Sequence, residues 1–559
     1  MLFLFHFKKK KLGEINYQFG TYNRGASFNG IQHIASIAGS KKGYRLLAKG
    51  DLMQQYSTRY KSNYYRPSIE LEKQFDKLQQ LTMGARYIIE QNEVKNTLTD
   101  SLLANAFAFD ALSVYIKNSG SAKNNFTAEY THRNDKAIQH NAFARSTEGH
   151  TFSLNGTISS LRNHEIHATA TYRILDIKDT SITKLKPDEN LLGRVEYNFS
   201  VIKGFITGNI LYEFGSGQEQ KREFAYVQVP AGQGLYVWRD YNQDSLKQLN
   251  EFELAIFPDE KLYIKVFTPT NQYVKAKYSL YNQSVSINPK ALFNQSTLPL
   301  IPKFVSLFFV QSVVQLNNRF VGKEGIAQYN PFINSFDDSL LINNASSIIN
   351  SVFFNRFNSS WGLDYIHTLA GGKTLLNYGI DARKNVEQQL RGRYNLSKQL
   401  TFSVGIKSGS KKFRSQFLEN RNYDITYQSA EPSITILLMK NQFRISTGYK
   451  YDIRLNAKDF GGEKAKADNI NLELKYNILG SGALNARATF SNIAYTGTEN
   501  SGVSYTMLDG LQKGKNWLWQ ASFNKRVSKN IEMNLEYEGR KPASGDIIHT
   551  GRASVRAIF

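Results

Sequence analysis

The chain has 559 residues, no cysteine, and 70 Lys+Arg against 47 Asp+Glu, a formal net charge of +23. The missing thiols exclude disulfide scaffolds, Cys-ligated zinc, iron–sulfur clusters and thiol nucleophiles. A mean hydropathy of -0.43, with no apolar run of about 18 residues, excludes a helical membrane protein.

At the N-terminus, Met1 to Phe7 are mostly apolar and are followed by Lys8 to Lys11. A signal peptide carries its positive charge ahead of the apolar core. Here the order is reversed, so residues 1–11 read as an atypical segment, and the expectation is a chain that begins inside a longer precursor; the plainer alternative is a first strand ending in a basic turn. From Leu12 to Phe559 the dominant pattern is alternation with a period of two. It is clear in Ile166, Ala168, Ala170, Tyr172 and Ile174, and again in Leu191, Gly193, Val195, Tyr197 and Phe199. Successive side chains on a strand point to opposite faces, so each segment has one apolar and one polar face. The alternations run about 9 to 13 residues, whereas ordinary strands run about 5–6. About 9–11 tilted residues cross a hydrocarbon layer. The low proline content, 11 residues, suits such uninterrupted ladders.

The short turn at 201–204 reads as periplasmic, which makes the 215–222 stretch an external loop at the other end of one strand. That parity starts the next irregular region on the short-turn side, or folds it into a lumen. The region spans 230–270, where alternation lapses. It contains Asp240, Asn242, Asp244 and Glu251 at positions 1, 3, 5 and 12 of a D-x-N-x-D…E calcium loop. Calcium takes six to eight oxygens. This spacing wraps two carboxylates, an amide and the position-7 carbonyl of Leu246 round one centre. Glu251 is the closing bidentate ligand, and Gln248 stands at the water-mediated ninth position. Ser245 occupies the place where the sharp turn normally takes Gly. The reading is a structural Ca2+ site; the plainer alternative is an acidic, solvated turn.

Further on, the longest apolar stretch (305–314) is broken by Gln311 and Ser312. Gly371-Gly372-Lys373-Thr374 resembles the tail of a P-loop, but His367 stands where the first Gly belongs, and the stretch reads as a hairpin turn. His164 and His167 are three apart on a strand and face opposite ways, so they share no metal. No G-x-S-x-G elbow occurs, and paired carboxylates such as Glu536 and Glu538 sit on a solvated strand face. No catalytic residue or catalytic cofactor is assigned, and the chain does not read as an enzyme.

In the C-terminal part, strands alternate at 443–455, 470–478 and 531–537. Tight turns at 439–441, 480–482 and 527–530 alternate with long loops at 457–468, 496–515 and 541–547. Outer-membrane barrels sort their connections this way, with short turns on the periplasmic side. The last strand, about 550–559, places Gly551, Ala553, Val555, Ala557 and Phe559 on one face. Trp517, Trp519, Tyr449, Tyr451 and Tyr537 near strand ends suit interfacial girdles. The expected fold is therefore all-β, a single large antiparallel transmembrane β-barrel of about 24 strands (range 22–28) with one irregular insert. Its expected location is the bacterial outer membrane.

The charge has two readings in that setting. Basic residues inside a lumen favour anions, and Lys/Arg at the rim meet lipopolysaccharide phosphates. Nucleic acid is not an expected partner, because the basic residues are spread over many strands and do not form a stripe.

Gly232-Gln233-Gly234-Leu235-Tyr236, the stretch 240–253 and Tyr263-Ile264 resemble large outer-membrane β-barrel proteins of the Bacteroidota. So do Tyr537-Glu538-Gly539-Arg540 and His549-Thr550-Gly551-Arg552-Ala553. The resemblance implies an outer-membrane barrel, often the C-terminal portion of a longer precursor with periplasmic or surface domains upstream. Two functions follow as expectations. One is a wide transport or translocation channel, gated or plugged by the insert or by a periplasmic or lipoprotein partner. The other is a non-conducting anchor for surface assembly or adhesion. TonB-dependent uptake is a third variant, although no plug domain is recognisable ahead of the strands.

Overall fold

The computed structural model describes residues 2–9, 13–23, 28–75, 81–118, 123–183, 185–293, 299–322, 327–332, 340–376, 379–416, 419–439, 442–478, 482–528 and 530–557. These carry 28 strand segments in one antiparallel sheet, among them the three-residue pieces Tyr236–Trp238 and Phe252–Leu254 inside the irregular region, so the sheet has about 24 full strands, as expected. Strands adjacent in sequence pair with each other, as in the C-terminal series Leu400–Ser415, Tyr423–Leu438, Phe443–Asn456, Lys464–Ile478, Gly482–Thr496, Gly514–Ser528, Ile531–Lys541 and Ile548–Ala557. One ladder position is shared by Tyr60–Tyr65 and Ser68–Phe75, which both lie between Tyr44–Ser57 and Leu81–Asn96. The break falls at Arg66-Pro67, where proline has no N–H to donate. The chain divides into two compact units, 1–199 with 210–217, and 200–209 with 218–559.

In the first unit, glycines on one strand are covered by aromatic rings from the next. Gly84 faces Tyr115 across the ladder, and a Cβ on Gly84 would lie 2.4 Å from the Tyr115 ring. The phenol reaches on to Glu70 and Glu72, at 2.5 and 2.8 Å, and Lys117 closes the cluster on Glu72 at 2.6 Å. Gly30 under Tyr22 repeats the arrangement. In the second unit Gly409 faces Tyr427 and Gly539 faces Trp519 in the same way. Such pairs fill the space a missing side chain leaves and pin the strand register.

In the second unit the two faces of the sheet differ as the alternation requires. Phe402, Val404 and Ile406 are exposed, and so are Ile434 and Ile436 on the next strand; Phe402 lies directly opposite Ile434. The same holds for Ile470 and Leu472. Arg391, Arg393, Lys407 and Lys411 occupy the opposite face. Large apolar side chains exposed side by side on neighbouring strands mark a surface that meets something other than water. The buried apolar cluster lies on the polar side, near strand ends. Ile425, Ala465 and Ile493 pack there under Val503, Met507 and Leu508. The last group belongs to the connection after Gly482–Thr496, which folds into the short helix Gly502–Met507, N-capped by Ser501.

Several sequence expectations shift. Residues 215–222 are not a loop: Ile206–Gln228 is one strand of 23 residues. The run is polar at successive positions, so the period-2 contrast disappears while the backbone stays extended. The irregular segment therefore starts at the far end of this strand from the 201–204 turn, on the side of the long connections. Its partner strand Tyr263–Ile287 begins within the expected 230–270 range. Gly371 to Thr374 are not a hairpin turn; they lie inside strand Trp361–Leu376, paired on both sides. The 457–468 loop ends earlier, because strand Lys464–Ile478 buries Ala465 beneath the helix connection. Lys10 to Leu12, Lys440, Asn441, Gly480, Ser481, Lys529 and the terminal Phe559 lie outside the described residues.

Gly84→Val is expected to cost about 1–3 kcal/mol, the usual penalty of overpacking. Gly50→Val, at a strand position where nothing lies within 4 Å of the new Cβ, should cost little. Guanidinium unfolding of the two variants in detergent checks the difference.

Candidate functional site

The irregular segment, residues 229–262, hangs between Ile206–Gln228 and Tyr263–Ile287. Val229 N–H donates to Leu262 O at 2.7 Å at its root. Gly234 allows the segment to cross its own return: a Cβ there would lie 2.6 Å from Tyr263 N and 2.7 Å from Lys261 O. Two short strands, Tyr236–Trp238 and Phe252–Leu254, pair with each other and hold the calcium-like loop between them.

Within that loop Asp240 accepts two backbone N–H groups, from Asp244 at 3.2 Å and Ser245 at 2.9 Å. Ser245 has φ of 60°, the left-handed conformation that glycine adopts without strain, so the serine takes the turn that position requires. Oxygens of Asp240, Asp244 and Glu251 all lie within 4.8 Å of one another. Two oxygens bound to one Ca2+ at about 2.3–2.6 Å are at most about 5 Å apart, so the separations of these three carboxylates lie within the span of one ion. Glu251 is 1% exposed and accepts from Trp238 Nε1 at 2.8 Å and Gln248 N at 3.3 Å. Asn242 is in the loop, with its Oδ1 accepting from Asp244 N at 3.1 Å. The Leu246 side chain is exposed, which leaves its carbonyl as the candidate ligand. Gln248 Nε2 donates to Asp244 Oδ2 at 2.6 Å, so the ninth position does point at the acidic centre.

Two buried ion-pair clusters fix the segment against the polar face of the neighbouring strands. Arg421 donates to Glu253 at 2.7 Å, with the two side chains 13% and 11% exposed. Tyr241 O–H adds a contact to Glu253 at 3.4 Å. Burial pushes the Glu253 carboxyl up, against the pull of Arg421 and Arg383. In the second cluster Arg540 bridges Asp259 and Glu260 at 2.7 and 2.8 Å, and Arg239 reaches Glu260 at 2.7 Å. Tyr505, on the helix Gly502–Met507, accepts from Ile256 N at 3.2 Å and donates to Glu260 or Leu254 O at 3.3 Å. Burial, then Glu260, push its phenol up to about 12, which keeps it a donor. Cavities of about 350 and 440 Å³ flank Arg540, lined respectively by Phe257, Asp259 and Trp519, and by Tyr241, Glu260 and Tyr505.

The sequence pointed to the loop carboxylates and missed Arg421 and Tyr505. Neither of those two residues lies in the stretches that carry the resemblance, although those stretches do approach each other. A Cβ on Gly232 would lie 3.1 Å from an Arg552 guanidinium nitrogen.

No protein-family model matches the sequence, and no curated protein matches it. Among solved structures, the chain is similar to the ferric-catecholate import receptor Fiu from E. coli K12, at 9% identity and TM-score 0.30, covering 95% of this chain and 77% of that one. It is also similar to the FrpB iron transporter from Neisseria meningitidis, at 8% identity and TM-score 0.35, covering 98% and 81%. The copper transporter OprC matches at 9% and 0.34, covering 99% and 81%.

Removing one partner from a buried ion pair costs about 3–5 kcal/mol, because the other charge stays buried. Arg421→Ala is therefore expected to raise backbone hydrogen exchange across 229–262 more than 100-fold, an effect of about 3 kcal/mol. Adding Glu253→Gln should recover most of the protection.

Proposed function

We propose that this chain forms a β-barrel in the bacterial outer membrane and acts as a wide transport or translocation channel gated by residues 229–262. The observation that supports this best is the division of labour between the faces. The apolar side chains of 400–478 stand exposed, as a lipid-facing surface requires, while the irregular segment packs on the polar face and is held there by Arg421 and Arg540. A polar face that lines a lumen and carries its own docked segment is the arrangement of a plugged pore. Arg383, Arg391, Arg393, Lys407 and Lys411 share that polar face and make it anion-preferring. Basic residues at the rim meet lipopolysaccharide phosphates, and a lipoprotein partner on the side of the long connections acts on the docked segment.

In this reading Ca2+ bound by Asp240, Asn242, Asp244, the Leu246 carbonyl and Glu251 has a structural role. It neutralises three carboxylates crowded into one loop and stiffens the gate. No catalytic step is assigned to any residue.

Planar-bilayer recordings test the channel. The wild-type protein should conduct poorly, and the Arg421→Ala/Arg540→Ala variant should open large events with anion-selective reversal potentials. Clear cation preference contradicts the assignment of the basic face. A variant that stays silent, with its segment shown undocked by hydrogen exchange, favours the non-conducting anchor. Calorimetry tests the ion: Ca2+ should give a heat with wild type and Ser245→Gly, and none with Asp240→Ala.

A further inference from the structure

A second ligand cluster lies in the first unit, far in sequence from the calcium-like loop. Strands Asn124–Gln139 and Ala142–Ile158 pair so that His132 stands directly opposite His150. Glu148 lies two residues before His150 and therefore shares its face. One donor atom from each of the three side chains falls within 4.8 Å of the others. His132 Nδ1 is 3.4 Å and His150 Nε2 is 3.5 Å from the same oxygen, Glu148 Oε1. Ligands at about 2.0–2.2 Å from a tetrahedral Zn2+ are separated by about 3.4 Å, so the two edges that meet at Glu148 Oε1 have the length of a metal-bound pair.

The surroundings set each donor in place. The Tyr130 hydroxyl lies 2.8 Å from His150 Nδ1. When Nδ1–H donates to that oxygen, the Nε2 lone pair is left facing Glu148, which is how an outer partner commonly orients a ligating imidazole. Lys178 and Arg145 bind the other carboxylate oxygen, Oε2, at 2.5 and 3.5 Å, and so turn Oε1 toward the two rings. The two cations also drain charge from the carboxylate, which moderates affinity for any metal. The imidazole rings sit 4.9 Å apart, centroid to centroid, on paired strands that cannot shift without slipping the ladder.

On this face the series runs Leu154, Phe152, His150, Glu148. The first two are exposed hydrophobics, at 54% and 49%, and the polar site begins at the next step. The three side chains are 27%, 28% and 13% exposed, so an ion can reach them from outside and still keep a coordination position for water or a further ligand. We propose that His132, His150 and Glu148 form a His2Glu site for a borderline-soft divalent cation such as Zn2+, Ni2+ or Cu2+. Imidazole nitrogen suits these ions, while Ca2+ and Mg2+ prefer all-oxygen sites. The site is therefore distinct in chemistry from the oxygen-only loop at 240–251.

The test uses the full chain in detergent. Addition of Co2+ to the wild type should produce tetrahedral ligand-field bands, and Zn2+ should abolish them stoichiometrically. His132→Gln/His150→Gln should lose the bands and weaken Zn2+ binding at least tenfold by calorimetry, whereas Asp240→Ala and His367→Gln should retain both. A wild type without tetrahedral Co2+ bands overturns the proposal whatever the variants do. A double-glutamine variant that binds Co2+ and Zn2+ like the wild type overturns it too.

Discussion

An antiparallel ladder spends the backbone's hydrogen-bonding groups on its neighbours and leaves the side chains to decide what each face meets. In this chain that constraint governs everything else. The residues 402, 404 and 406, with their neighbours at 434 and 436, form an open apolar surface, which leaves charge, buried pairs and docked connections to the other side. The buried apolar cluster is accordingly small and eccentric. It forms where the helix Gly502–Met507 folds over Ile425, Ala465 and Ile493, away from any central core. Stability in such a sheet comes from register, and the glycine–aromatic pairs at 84 and 115 or 539 and 519 secure it by shape.

The docked segment follows from the same logic. A polar face cannot hold a connection by hydrophobic burial alone, so it does so with ions. Buried pairs are a costly means of attachment, since desolvation cancels much of the attraction. They are also selective, because each carboxylate accepts one geometry and rejects a slipped one. Glu253 with Arg421, and Asp259 and Glu260 with Arg540, fix the segment at two separated points and set its orientation as well as its position.

How much of this could be read in advance depends on the distance over which each feature is encoded. Strands were legible because their period is two residues, and the calcium-like loop because all its ligands fall within twelve. The 215–222 stretch misled because a strand whose residues are all polar has no contrast to read. Arg421 and Glu253 are 168 positions apart, and Arg540 and Glu260 are 280 apart; no local pattern announces such pairs. The histidines show the same limit. His164 and His167, close in sequence, face apart, while His132 and His150 meet through ladder register alone.

The hairpin that carries the segment has a mechanical meaning. Its arms, Ile206–Gln228 and Tyr263–Ile287, are long strands, and at its base Asn288 N–H bonds Phe205 O at 2.8 Å. A pull along the strand axis would load many backbone bonds in shear at once, whereas a sideways pull on the tip is resisted chiefly by the few ion pairs at Arg421 and Arg540. The segment is thus stiff in one direction and compliant in another. Force applied across the sheet therefore reaches the ion pairs at Arg421 and Arg540 before it reaches the ladder.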